Sequence, residues 1–278
     1  MSVAKLKNKI RNISEKKKIP HEVLYQNFFF ERFLERLSLS TYKNKLILKG
    51  GFLISSLLGI SERTTSDIDM SVENLQLNEE IMINCVESII TIDIDDGTSF
   101  KIINIVDIRL EDKYDGLRFT LEGKFETLKY HIKLDFSTGD VIVPMQEKRY
   151  IDLFLSEKKV ELYCYSIETF LSEKIETILS RNIGNTRAKD FYDVYSIITK
   201  DIILINTKVL IEAIKETINN RGSDYIFEDY MRLYEIINSS DELKLNWELY
   251  TTNYIFAKGL SYKDIMDKLL YILIVCFE

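Results

Sequence analysis

Apolar residues recur along this chain in two rhythms, and the passage from one to the other divides the sequence. From about residue 4 to 38 the spacing is helical, with Val23, Leu24, Phe28, Phe33, Leu34 and Leu37 on one stripe. Leu46-Ile47-Leu48 then forms a short apolar run that enters Gly50-Gly51 directly, and Phe52, Leu53, Leu57 and Leu58 return to helical spacing. Strand, tight turn and helix are predicted there. Residues 67–72 alternate acidic or small side chains with Ile68, Met70 and Val72, as a half-buried strand does. Further strands are predicted over 101–108, 117–125 and 130–136, with a helix over 79–90. Beyond Pro144 and one more strand at 160–163 the rhythm is helical, over 167–180, 186–198, 206–220, 224–237 and 261–277. Ser166-Ile167-Glu168-Thr169 makes a good start for the first of these, because the hydroxyl caps an amide and the acid complements the helix dipole. The pattern predicts an α+β chain: a mixed-sheet lobe with a helical lead-in over residues 1–165, then a helical bundle over 166–278.

Composition narrows the class. Hydrophobic residues make up 46% and charged residues 29%, the balance of a globular chain, while two prolines and ten glycines leave no flexible linker visible. No apolar run approaches the roughly 20 residues of a membrane span, the nearest being Leu269 to Phe277, and the basic N-terminus lacks the apolar core of a secretory signal. A cytoplasmic protein is expected. Cys85, Cys164 and Cys276 have no pairing or metal-type spacing and read as small buried hydrophobes; His21 and His131 are too far apart for a zinc site. The net charge of −7 opposes a general attraction to nucleic acid but leaves room for local basic clusters, as at Lys5 to Lys18 and Arg181 to Lys189.

The strongest chemical signal is Lys49-Gly50-Gly51, then fifteen intervening residues, then Asp67-Ile68-Asp69. Strand side chains alternate, so Asp67 and Asp69 share a face while Ile68 and Met70 pack inward. Two like charges so close repel, and a divalent cation such as Mg²⁺ or Mn²⁺ relieves this by taking oxygen from both. The glycines let backbone approach an anion at the start of a helix. Arg63 and the hydroxyls of Thr64, Thr65 and Ser66 precede the acids, where they can contact phosphate or simply form the turn. Either element alone is an ordinary structural feature; the two together point to nucleoside triphosphate.

A glycine pair after a strand, followed by Asp-hydrophobic-Asp, resembles the signature of the DNA polymerase β-like nucleotidyltransferase superfamily. That resemblance calls for a third carboxylate. Asp135, at the end of the alternating strand that carries His131 and Lys133, is the choice, ahead of Asp107 and Asp140. Four blocks in order, Leu48 to Leu53 with Arg63 to Asp69, Lys133 to Asp135, Ser172 to Ile178, and Arg187 to Tyr195, are similar to the AbiEii family of nucleotidyltransferase toxins. On the residues alone, Lys174 lies on a largely apolar helix and needs a phosphate or carboxylate partner, for which Asp190 is a candidate. The resemblance implies that Lys174 contacts the triphosphate and that Asp190 is essential, while Arg187 and Lys189 can clamp nucleotide or acceptor phosphate. Phe52 departs from the family pattern, which often has a small hydroxyl residue after the glycines.

The expectation is therefore a metal-dependent nucleotidyltransferase with its nucleotide between two lobes. Asp67, Asp69 and Asp135 hold metal; Lys49, Gly50, Gly51, Arg63, Ser66 and Lys174 hold nucleotide, GTP or a pyrimidine triphosphate; Asp190 supports catalysis. The resemblance implies a type IV toxin–antitoxin toxin of abortive infection, active in phage resistance, with the tRNA 3′ end as acceptor and an antitoxin acting indirectly. Two rivals are an enzyme that modifies a small molecule such as an aminoglycoside, and a GTP-binding module without turnover.

Overall fold

The structure is a computed structural model and describes residues 2–108, 115–155, 157–200 and 204–278. The single helix expected over 4–38 is two. Helix α1 (Val3–Lys17) ends at Lys18, which is left-handed with φ 58°, and α2 (His21–Leu39) begins after Pro20. Proline has no amide hydrogen and forces Ile19 out of the helical region, so the apolar rhythm runs through a break that the backbone cannot bridge.

The strand–turn–helix is β1 (Leu46–Lys49) and α3 (Gly50–Leu58), followed by β2 (Ile68–Val72), α4 (Glu79–Ile90), β3 (Thr98–Ile108), β4 (Gly116–Phe125) and β5 (Leu128–Ser137). Two more strands, β6 (Glu147–Leu153) and β7 (Lys158–Cys164), complete a seven-stranded mixed sheet in the order β3-β4-β5-β2-β1-β7-β6. The pairs β2–β5 and β1–β7 are parallel; the others are antiparallel. Strand β6 was not expected, because this edge strand buries only Ile151 and Leu153 and leaves Lys148, Tyr150 and Asp152 exposed.

One face of β4 and β5 is dry. Leu117, Phe119, Leu121 and Phe125 of β4 and Ile132, Leu134 and Phe136 of β5 are buried, and α2 packs there, with the Phe28 ring 5.4 Å from Phe125 and the Phe29 ring 6.4 Å from Tyr130. Gly123 is needed for this fit, since a Cβ there would lie 2.4 Å from Phe29 Cδ1. The other face carries Arg118, Thr120, Glu122 and Lys124 of β4 opposite Asp135, Lys133, His131 and Lys129 of β5. Arg36 of α2 donates to both oxygens of Asp96, at 3.2 and 3.0 Å, and to the Thr98 carbonyl. Burial works to raise the Asp96 carboxyl, but the bonds from Arg36 and Thr98 outweigh it and hold it below the usual range.

Two compact units emerge: residues Met1–Gly139 with Glu147–Cys164, and Asp140–Gln146 with Tyr165–Glu278. The second is helical, made of α5 (Ile167–Arg181), α6 (Ala188–Thr199), α7 (Thr207–Arg221), α8 (Ile226–Ser239), α9 (Asp241–Asn253) and α10 (Tyr262–Phe277). Helix α5 packs against α6, α7 and α8, and Ser166 Oγ caps it by accepting from the Thr169 amide at 3.0 Å. Helix α9 has only Leu243 and Trp247 buried, too little apolar signal to announce itself in the sequence. Among the described residues no helix is long and apolar enough to cross a membrane.

Candidate active site

The end of β1 and the start of β2 converge on the glycine turn. Lys49 stands opposite Asp69 across the antiparallel β1–β2 pair, and the next residue, Gly50, has φ +65°. A Cβ at Gly50 would sit 2.0 Å from Asp69 Oδ2, so the carboxylate rests against a bare α-carbon, and only glycine serves there. Gly51 is crowded in the same way: a Cβ would lie 2.7 Å from Thr65 Oγ1 and 3.3 Å from Arg63 Nη2. Thr65 Oγ1 in turn donates to Asp67 Oδ1 at 3.0 Å. Both acids therefore gather about the turn that opens α3, whose first amides point the positive end of the helix the same way.

Asp135 joins this group through register. It pairs with Asp69 across the parallel β2–β5 ladder and with Arg118 across β4–β5, so all three side chains share a face. Its two oxygens are both taken by Arg118, from Nε at 2.7 Å and Nη2 at 2.6 Å. The Arg118 guanidinium is held above its ordinary value first by that hydrogen bonding, against some desolvation, and then by the fields of Asp135, Asp67 and Asp69. Sequence reasoning passed over Arg118, and its only signal was a polar position on an alternating strand whose partner was unknown. Of the alternatives, Asp107 pairs with Leu117 and so belongs to the opposite face, and Asp140 lies in the field of Arg221 in the helical unit.

Asp67, just before β2, and Asp69 within it offer the carboxylate oxygens that a hard divalent cation takes, and the Arg118 guanidinium lies in the field of both. Asp135, expected to share that ion, holds its place beside Asp69 with Arg118 bound to it. Its carboxylate is engaged by Arg118, and among the described residues no three acidic, histidine or cysteine side chains are grouped to hold a metal.

The other expected contacts divide. Arg63 is buried and its Nη1 donates to the neighbouring Thr64 carbonyl, while Lys49 is also buried. Ser66 is exposed, and Gln26 Nε2 donates to its carbonyl at 2.7 Å, which ties this loop to α2. Phe52 turns inward, 4% exposed and edge-on to Phe30 at 5.8 Å. Its side chain fills core.

In the helical unit, Lys174 of α5 reaches the partner its surroundings demanded. Its Nζ donates to Asp190 Oδ1 at 2.6 Å and lies 3.8 Å from Asp193 Oδ2. Asp190 is 1% exposed; among the described residues its Oδ2 accepts no hydrogen bond, and Arg187 Nε lies 3.8 Å from it. Burial pushes the Asp190 carboxyl up, but Lys174, Arg187 and Lys189 together bring it below its ordinary value. Cys85 and Cys164 are buried, as expected, whereas Cys276 is half-buried; all three are free thiols pushed up to about 12 by burial.

A family model described as the nucleotidyl transferase AbiEii toxin of type IV toxin–antitoxin systems matches residues 32–268. No curated protein sequence matches significantly. Among solved structures, a candidate nucleotidyltransferase from H. pylori is 17% identical, with 91% of this chain and 99% of that one covered and a TM-score of 0.46. JHP933 from Helicobacter pylori is likewise 17% identical, with 91% and 95% covered and a TM-score of 0.45.

Proposed function

The chain belongs to the AbiEii family of nucleotidyl transferase toxins, and on that premise we propose that it transfers a nucleotide from a nucleoside triphosphate to the 3′ end of tRNA, as the toxin of a phage-defence pair whose antitoxin acts without docking on it. The observation that carries this reading is the contact of Asp69 with Gly50. An acid beside the first turn of α3, whose amides favour anionic oxygen, supports a metal-neutralised phosphate there.

In the reaction the acceptor's 3′ oxygen bonds to the α-phosphorus, the bond from that phosphorus to the bridging oxygen breaks, and pyrophosphate leaves in line. Asp67 and Asp69 supply oxygen donors for a divalent cation, which when bound neutralises the triphosphate and polarises the reacting phosphate. The amides at Gly50 and Gly51, with Arg63 and Ser66, hold phosphate oxygens. Asp135, fixed in orientation by Arg118, takes the proton of the attacking hydroxyl at a carboxylate oxygen. Asp190 holds the Lys174 ammonium in place for a phosphate oxygen.

The test is incubation of the purified chain with each labelled triphosphate in turn, against total tRNA and against aminoglycosides. GTP or a pyrimidine triphosphate is expected to label tRNA 3′ ends with release of pyrophosphate, and Asp67→Ala to abolish it. Labelling of the aminoglycosides alone, or nucleotide binding without pyrophosphate, would sink this reading in favour of a small-molecule transferase or a binding module.

A further inference from the structure

The chain is acidic overall, yet the sheet face that bears Asp135 is not. Register puts Lys101 of β3, Lys124 of β4, and Lys129 and Lys133 of β5 on this face, all exposed, with the exposed His131 between the last two. Among the described residues of these strands, Glu122 is the one acid on this face besides Asp135; it pairs across from His131 and draws Lys129 Nζ to 3.0 Å. Four lysines and Arg118 against Glu122 and Asp135, in a chain of net charge −7, is a local reversal of sign.

The arrangement of these charges matters more than their number. Lys129, His131 and Lys133 occupy alternate positions of one strand, and the next alternate position is Asp135, which pairs with Asp69. The row thus spans about 20 Å and ends at the acids. We propose that this open face of β3, β4 and β5 is the track on which the phosphate backbone of an acceptor RNA lies, leading its 3′ end to Asp67 and Asp69; the proposal rests on the transferase reading above. A cationic surface that follows a strand is how proteins hold nucleic-acid backbone without reading sequence. Helix α1 carries a denser basic run, including Lys5, Lys7 and Lys16, but it packs on α2, which covers the opposite face of the sheet. Its charge therefore lies on the side away from the acids.

The experiment measures anisotropy of fluorescently labelled tRNA over a salt series, with no triphosphate present. It compares the wild-type chain, the triple variant Lys124→Glu/Lys129→Glu/Lys133→Glu, and a control, Lys5→Glu/Lys7→Glu/Lys16→Glu. The sheet variant is expected to bind at least about tenfold more weakly at low salt, with a salt slope shallower by about two, as loss of three phosphate contacts requires. Equilibrium dialysis with labelled GTP is expected to give wild-type binding, which shows that the variant is folded, and the α1 variant is expected to bind tRNA within about twofold of wild type. Unchanged affinity and slope in the sheet variant, or loss confined to the α1 variant, would overturn the proposal. Wild-type tRNA labelling by the sheet variant would remove the track and leave the transferase standing; tRNA held by the sheet face but never labelled would do the reverse.

Discussion

Arg118 and Asp135 face each other across β4 and β5 and are joined by two hydrogen bonds, one to each carboxylate oxygen. This fork fixes Asp135 next to Asp69, its other strand neighbour. Asp135 is 13% exposed and Arg118 33% exposed, so the pair is only partly screened by water.

A double-mutant cycle measures that coupling. Arg118→Gln and Asp135→Asn should each cost about 1–2 kcal/mol in urea unfolding, and the double variant less than their sum by about 1 kcal/mol or more. Arg118→Lys should not restore the loss, because an ammonium cannot make the two-pronged contact. Strict additivity in the cycle would mean that the two side chains do not work as a unit.

Gly50→Ala tests the turn. Its φ of +65° strains any L side chain by about 1–2 kcal/mol, and the added methyl must displace Asp69 Oδ2. Melting should stay cooperative with a slightly lower midpoint, whereas transfer should fall by about 100-fold or more, since small displacements of reacting groups have that effect. Full transfer activity in a folded Gly50→Ala chain would separate Asp69 from the chemistry.

Phe52→Ser would bring the residue after the glycines closer to the family pattern. Because Phe52 is buried against Phe30, it should instead destabilise the fold by about 3–5 kcal/mol, as loss of a core aromatic does. No gain in GTP affinity is expected in dialysis; tighter binding with an unchanged melting point would contradict the inward orientation.

The Lys174–Asp190 pair has a pH signature. Asp190 is held below its ordinary value of 3.8, so its contribution to stability is complete above that value and is lost as pH falls through the lower folded-state value. In Lys174→Met burial loses its main opponent and the Asp190 carboxyl rises. The variant should therefore be less stable than wild type by about 3 kcal/mol at neutral pH, with the gap narrowing toward pH 4 as Asp190 takes a proton. Denaturation at several pH values checks this, and a gap that widens in acid would reverse the assignment.

How far this was legible in the residues follows from the range of each interaction. Helix α4 and the strand–turn–helix of β1 and α3 could be read because a 3.6-residue stripe, a two-residue alternation and a glycine pair are local features. The break at Pro20 lay in the sequence too, but the apolar stripe on either side masked it. Edge strand β6 and helix α9 each bury too few apolar side chains to leave a rhythm.

The sequence by itself determined that Asp69 stands away from the buried Ile68 and Met70, that a glycine turn precedes a helix, and that Lys174 on an apolar helix needs an anion, because each follows from backbone periodicity or the cost of burying charge. Only the tertiary structure decided that Asp135 pairs with Asp69, that Arg118 claims its oxygens, that Phe52 turns inward, and that scattered lysines of three strands form one face. Strand order and register set those neighbours, and both arise from packing between segments far apart in the chain, which no local spacing encodes.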